Sequence, residues 1–169
     1  KTVFLGQASS GGGSTLTQQL AKNLFPRDPK AGKFKTALTK VREWVTAVRL
    51  ERNYTKEEIL AMYLNTVEFG SNAFGIKSAS RTFFNKTPDS LKVEEAAVLV
   101  GLLKAPTYYS PVRNIDNATM RRNTVMAQMR KYDLLTENEY DSLSQLPIKV
   151  TYQPEDHNFG IGTYFREYL

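Results

Sequence analysis

From Gly13 to Asn23 the chain reads Gly-Ser-Thr-Leu-Thr-Gln-Gln-Leu-Ala-Lys-Asn, directly after Gly11 and Gly12. Thr15 with Gln18 three residues later is a capping-box pattern, so a helix is predicted to start there. A helix start carries backbone N–H groups without intrahelical partners and the positive end of the helix dipole. Here it is accompanied by the hydroxyls of Ser14 and Thr15, the amide of Gln19 and the cation of Lys22, a set suited to phosphate or diphosphate. The same letters also describe an ordinary helix capped after a glycine linker. A second candidate is Glu43, a carboxylate that falls among small residues (Thr36, Thr39, Ala47) on a predicted helix. Paired with Lys40 three residues earlier, it also fits a plain surface glutamate.

The remaining composition narrows the chemistry. The 169 residues contain no cysteine and one histidine, His157. Thiol nucleophiles and Cys-ligated zinc are excluded, and a Ser-His-Asp triad or a His-based metal site has little to work with. Catalysis must draw on carboxylates, hydroxyls and cations. The net charge of +6 is concentrated: Lys22, Arg27, Lys30, Lys33, Lys35, Lys40 and Arg42 stand against Asp28 alone, and this window carries the whole excess. Such a local cationic surface suits phosphates or an anionic membrane; solvated lysines on a loop are the plainer alternative. No run of apolar residues approaches the length of a membrane span, and the opening residues do not read as a signal peptide.

The elements that must position these groups read as almost all helix. On the first, Leu16, Leu20 and Leu24 form a stripe, and Thr15, Gln19 and Lys22 share a neighbouring face. After an interruption from Pro26 to Gly32, Phe34, Leu38, Val41, Val45 and Val48 follow the spacing of a long amphipathic helix, with this stripe expected to face the core. Glu43 would then project from the opposite, non-core face, as on a cleft wall. Further helices are predicted from the Thr55/Glu58 and Thr136/Glu139 capping boxes, and over Gly75–Phe84, Val93–Leu103 and Asn117–Tyr132. Ile59, Leu60, Tyr63 and Leu64 are expected in the core, Asn65 with Gly70 at a turn, and Arg121 and Arg122 in a structural or solvated role. Pro147 to Tyr152 reads as extended and Gln153 to Gly162 as a linker. The expected division is a domain over 1–146 and an extended segment with linker over 147–169.

The word Ser14-Thr15-Leu16-Thr17-Gln18-Gln19-Leu20-Ala21-Lys22-Asn23 resembles the second motif of the family-51 peptidoglycan glycosyltransferases, the polymerase domains of bifunctional penicillin-binding proteins. Lys40-Val41-Arg42-Glu43 is similar to the third motif, with the family's second functional glutamate falling on Glu43. Thr55 to Asn65, continuing through Phe69-Gly70, resembles the fourth, and Arg121 to Met129 the fifth; Glu94 to Leu102 and Lys104-Ala105-Pro106 also fit. Two departures stand out. The first motif, whose glutamate serves as catalytic base, would lie upstream of Gly13 and is absent, so a fragment that is inactive alone is expected. The arginine that opens the third motif is replaced by Thr39, which leaves Lys35 or Lys40 to supply that cation.

The resemblance implies a mainly α, lysozyme-like glycosyltransferase fold and polymerisation of a lipid-linked disaccharide-peptide diphosphate (lipid II) into β-1,4 glycan by an inverting mechanism. It implies Glu43 as a catalytic residue and Ser14, Thr15, Gln19, Lys22, Lys35 and Lys40 as substrate-binding groups. Glu43 is left two roles: orienting the donor sugar, or holding a divalent cation (Mg or Mn) across the diphosphate. Partners would be lipid II, the nascent glycan, a membrane surface and a transpeptidase domain absent from the chain, with no nucleic acid, at the outer face of the bacterial cytoplasmic membrane. The competing readings are a lysozyme-like lytic glycosidase, which needs no phosphate cradle, and a basic helical module for membrane or nucleic acid.

Overall fold

A computed structural model describes residues 15–25 and 32–154, and of Lys33 and Lys35 the backbone alone. Among the described residues there are seven α-helices, a short 3-10 turn at Pro88–Ser90 and one isolated β-bridge between Glu68 and Phe74, with no strand. The chain divides into two compact units, residues 1–66 and 67–169. The predicted mainly α class is therefore met.

The first unit holds α1 (Leu16–Leu24), α2 (Lys33–Asn53) and α3 (Lys56–Thr66). Thr15 caps α1, its Oγ1 accepting from the Gln18 N–H at 3.2 Å. A full reciprocal box opens α3: the Glu58 carboxylate accepts from the Thr55 N–H at 2.8 Å and Thr55 Oγ1 from the Glu58 N–H at 3.2 Å. α1 packs against both other helices, burying Thr17, Leu20 and Ala21. Leu16 and Leu24 stay exposed, so only the middle residue of the expected leucine stripe is core. From α3 the buried residues are Ile59 and Tyr63; Leu60 is exposed and Leu64 half-buried, contrary to the expectation for Leu60.

The larger correction concerns α2. Its apolar stripe faces outward: Phe34 is 79% exposed, and Leu38, Val41, Val45 and Val48 are all exposed, as is Trp44 at 64%. The buried residues are Glu43 and Ala47, one turn apart. A small residue such as Ala47 lets two helix backbones approach closely, which a row of large side chains would hold apart. The expected non-core face is thus the packed face.

The second unit comprises α4 (Ile76–Phe84), α5 (Val93–Leu102), α6 (Ile115–Lys131) and α7 (Glu137–Ser144). All four match predicted helices closely. α5 is apolar almost all round and packs along α6. Gly101 makes this possible, since a Cβ there would lie 3.0 Å from the Arg121 Cγ. Ala97, Met126 and Leu135 form a core cluster, with Val125, Met129, Tyr140 and Leu143 packed around it. The Thr136/Glu139 box opens α7, with the Glu139 carboxylate accepting from both the Thr136 N–H and its hydroxyl. Those two bonds hold its pKa below the usual carboxylate range.

Arg122 is 0% exposed and works as a clamp. Its guanidinium donates to the carbonyls of Leu146 at 2.7 Å and Ser144 at 2.9 Å, and to Asn123 Oδ1 at 3.0 Å. Beyond it the chain runs back along α4: the Thr151 N–H donates to the Phe83 carbonyl at 2.9 Å and the Gln153 N–H to that of Thr82 at 2.8 Å. The alternate-residue spacing of these donors is that of an extended chain, and the acceptors are last-turn carbonyls that α4 itself cannot satisfy. The predicted extended stretch therefore serves as a helix cap. The expected linker lies almost wholly outside the described residues.

Candidate active site

On α1, Thr15, Gln19 and Lys22 occupy one face and all three are exposed, in agreement with their spacing. Because Thr15 Oγ1 accepts from Gln18 N–H, the O–H of the same group remains to donate outward. Below this face, the Tyr63 hydroxyl on α3 donates to Gln19 Oε1 at 3.2 Å. Tyr63 is 4% exposed, and burial pushes its phenol above the ordinary pKa of 10.0, so at neutral pH the donor proton is present.

On α2, Glu43 is 3% exposed and its Oε2 lies 3.3 Å from the Lys40 ammonium, one turn earlier and half exposed. A carboxylate this far from water is held charged only by a close cation or donors. The i, i+3 spacing supplies that cation from the same helix. The surface-glutamate alternative does not survive this burial. Lys35 lies in the first turns of α2; its side chain, like Ser14, lies outside the described residues.

The first unit therefore packs the helix that bears Glu43 and Lys40 against the helix that bears Thr15, Gln19 and Lys22. The arrangement offers one shielded carboxylate with its own ammonium, and an exposed row of neutral and cationic donors at a helix start. That is equipment for holding an anionic leaving group, with a separate acidic group nearby in the chain. Among the described residues no group of three or more His, Cys, Asp and Glu could hold a metal ion. Sequence reasoning places Tyr63 in the core and no more; its polar tip and its partner 44 residues away carry no local signal.

A family model described as Transglycosylase matches residues 2–130, a span that includes every candidate site residue. The chain belongs to the transglycosylase family. Among curated proteins, Penicillin-binding protein 1A of Escherichia coli (strain K12) is 38% identical over 157 residues, covering 93% of this chain and 18% of the relative. Penicillin-binding protein 1A/1B of Bacillus subtilis (strain 168) is 42% identical over 139 residues, covering 82% and 15%. The chain thus spans less than a fifth of the length of these relatives. Among solved structures, a crystal structure of Penicillin-binding protein 1A from Haemophilus influenzae matches at a TM-score of 0.52 and 24% identity, covering 82% of this chain and 17% of that one. This likeness establishes the fold: the helical architecture is that of the transglycosylase domain's own relatives.

Thr39 lies one turn before Glu43 on α2, while Lys40, the next residue, is the cation observed beside the carboxylate.

Proposed function

We propose that this chain is the polymerising unit of a peptidoglycan glycosyltransferase, acting on lipid II and the nascent glycan, at the outer face of the cytoplasmic membrane and beside a transpeptidase domain of the same parent protein. The observation that carries the reading is the buried Glu43 carboxylate beside the half-exposed Lys40 ammonium, on a helix packed against the capped, donor-bearing α1. The acceptor 4-hydroxyl loses its proton to a base and its oxygen attacks C1 of the donor sugar from the side opposite the diphosphate. The C1–O bond breaks, and its electron pair leaves on the diphosphate oxygen. Lys22, the Thr15 hydroxyl and the Gln19 amide stabilise that charge, which is greatest in the transition state. Ser14 and Lys35 complete this set in the proposal. Glu43 orients the donor sugar, with Lys40 holding the carboxylate in place. The expected catalytic base belongs to the first motif, upstream of Gly13.

Among the described site residues a divalent cation has only Glu43 to hold it, with an ammonium at 3.3 Å competing for the same carboxylate. Mg²⁺ usually takes one or two carboxylates plus substrate phosphates, so an ion would rest mainly on the diphosphate.

The exposed face of α2 supports the membrane part of the proposal. Phe34, Leu38, Val41, Trp44, Val45 and Val48 present large apolar side chains outward, with Lys40 and Arg42 exposed on the same helix. This is the composition of a helix that lies in a lipid interface. No described helix is long and apolar enough to cross a membrane.

The test uses the full-length protein that carries this chain, assayed for conversion of lipid II to polymer and, in parallel, for hydrolysis of preformed glycan. Polymer formation that is lost in Glu43→Gln and weakened in Lys22→Ala supports the proposal. Hydrolysis without polymerisation would assign the lytic-glycosidase reading instead.

A further inference from the structure

The bond between Tyr63 and Gln19 joins a buried hydroxyl to an exposed amide across two helices. A glutamine amide is planar, with one acceptor oxygen and an NH₂ carrying two donors on the opposite edge. An amide without a fixed partner turns over readily about its last torsion, which is broad and roughly two-fold. With Oε1 bonded to the buried tyrosine, the NH₂ lies on the opposite edge of the amide, and Gln19 is exposed on the same helix face as the exposed Thr15 and Lys22. Among the described residues no hydrogen bond engages Nε2. Turned over, the same amide would present its oxygen to that face and repel an anion.

Tyr63 is well built for this. Its ring is buried in α3 against α1, and α3 is pinned at its start by the Thr55/Glu58 box. The hydroxyl therefore has a fixed address, whereas Gln19 by itself has three rotatable side-chain bonds. A phenylalanine would fill the same core volume, so the hydroxyl adds orientation and not packing.

We infer that Tyr63 is a positioning residue, whose hydroxyl fixes the Gln19 amide with its N–H donors toward the diphosphate of the substrate. This rests on the proposed function, since it takes the α1 face as the diphosphate site. The diphosphate is held in the ground state and carries its greatest charge in the transition state, so the signature of a misplaced Gln19 amide is a raised KM together with a lowered kcat.

The test is a double-mutant cycle in the full-length protein with Tyr63→Phe, Gln19→Ala and the pair, read by binding of farnesyl diphosphate, with farnesol as the uncharged control, and by KM and kcat for lipid II polymerisation. Tyr63→Phe is expected to weaken farnesyl diphosphate binding about three- to tenfold, the worth of one hydrogen bond, to leave farnesol binding unchanged, and to have no further effect in the Gln19→Ala background. Equal losses in both backgrounds, or equal losses for farnesol, would mean that Tyr63 acts through packing and would overturn the inference while leaving the proposed function standing. Wild-type protein that neither binds farnesyl diphosphate nor polymerises lipid II would overturn both.

Discussion

The Lys40 ammonium sits 3.3 Å from the Glu43 carboxylate, and the two differ sharply in their surroundings: Lys40 is 53% exposed and Glu43 3%. One side of the pair is wet and the other is part of the packed face of α2. This asymmetry makes Glu43 separable by experiment from an ordinary structural acid.

Glu43→Ala leaves Lys40, which is 53% exposed, able to return to water, while the lost side chain opens space on the packed face of α2. Folding stability is expected to fall by about 0.5–3 kcal/mol, while polymerisation falls about a hundredfold or more. Chemical denaturation alongside a lipid II assay reads both. A large stability loss with proportionate loss of activity would show that Glu43 is structural.

Arg122 has the opposite profile. Its guanidinium is fully buried, and it supplies donors to the Ser144 and Leu146 carbonyls. Desolvation lowers its pKa, while the nearby Glu94 carboxylate acts to raise it. Arg122→Ala leaves both carbonyls without their donor and opens a cavity, at an expected cost of about 3 kcal/mol. Denaturant unfolding measures the loss, and amide exchange should show Thr151 and Gln153 losing protection as the segment comes away from α4.

Gly70 has φ +89°, and a Cβ on it would lie 3.0 Å from the Pro106 Cβ. Gly70→Ala therefore meets both a left-handed backbone and a close side chain on a rigid ring. The expected destabilisation is about 1–3 kcal/mol, visible as a lower Tm. Gly32 is the contrasting site: a Cβ there would meet nothing within 4 Å and its φ is not positive, so alanine should be tolerated.

Tyr63 predicts an alkaline limit to stability. Burial raises its pKa in the folded state above the ordinary 10.0, so on going up in pH the unfolded chain loses this proton first. The contribution is fully present below pH 10 and is lost as pH rises through the folded-state value. As pH rises above 10 the wild type should lose stability more steeply than Tyr63→Phe. Parallel slopes for the two proteins would show that the phenol does not titrate differently on folding.

Local features are legible in the chain itself. The Thr55/Glu58 and Thr136/Glu139 boxes need only residues three apart, and both form as read. Helix ends marked by proline, glycine and asparagine likewise depend on the backbone of a few neighbours. The ordered motif words that resemble the glycosyltransferases mark the same family as the Transglycosylase match over residues 2–130. The extended reach after Leu146 is also visible, as a change of period.

What the tertiary structure decided is which surfaces meet. Periodicity on α2 separates an apolar face from a small, polar one, but it does not say which of them turns inward; that depends on the shape of the helix opposite. There Ala47 and Glu43 are buried and the large apolar stripe is left exposed. The Tyr63–Gln19 bond spans 44 residues, and the Arg122 bonds to the Ser144 and Leu146 carbonyls span 22 and 24. No local rule links such pairs, because they exist only once packed helices bring the two side chains, or a side chain and a distant backbone, within hydrogen-bonding distance. The sequence by itself determined the helices, the family and the donor-bearing face of α1; the packing of α1 on α2 and α3 decided that Glu43 is sheltered and that Gln19 is held.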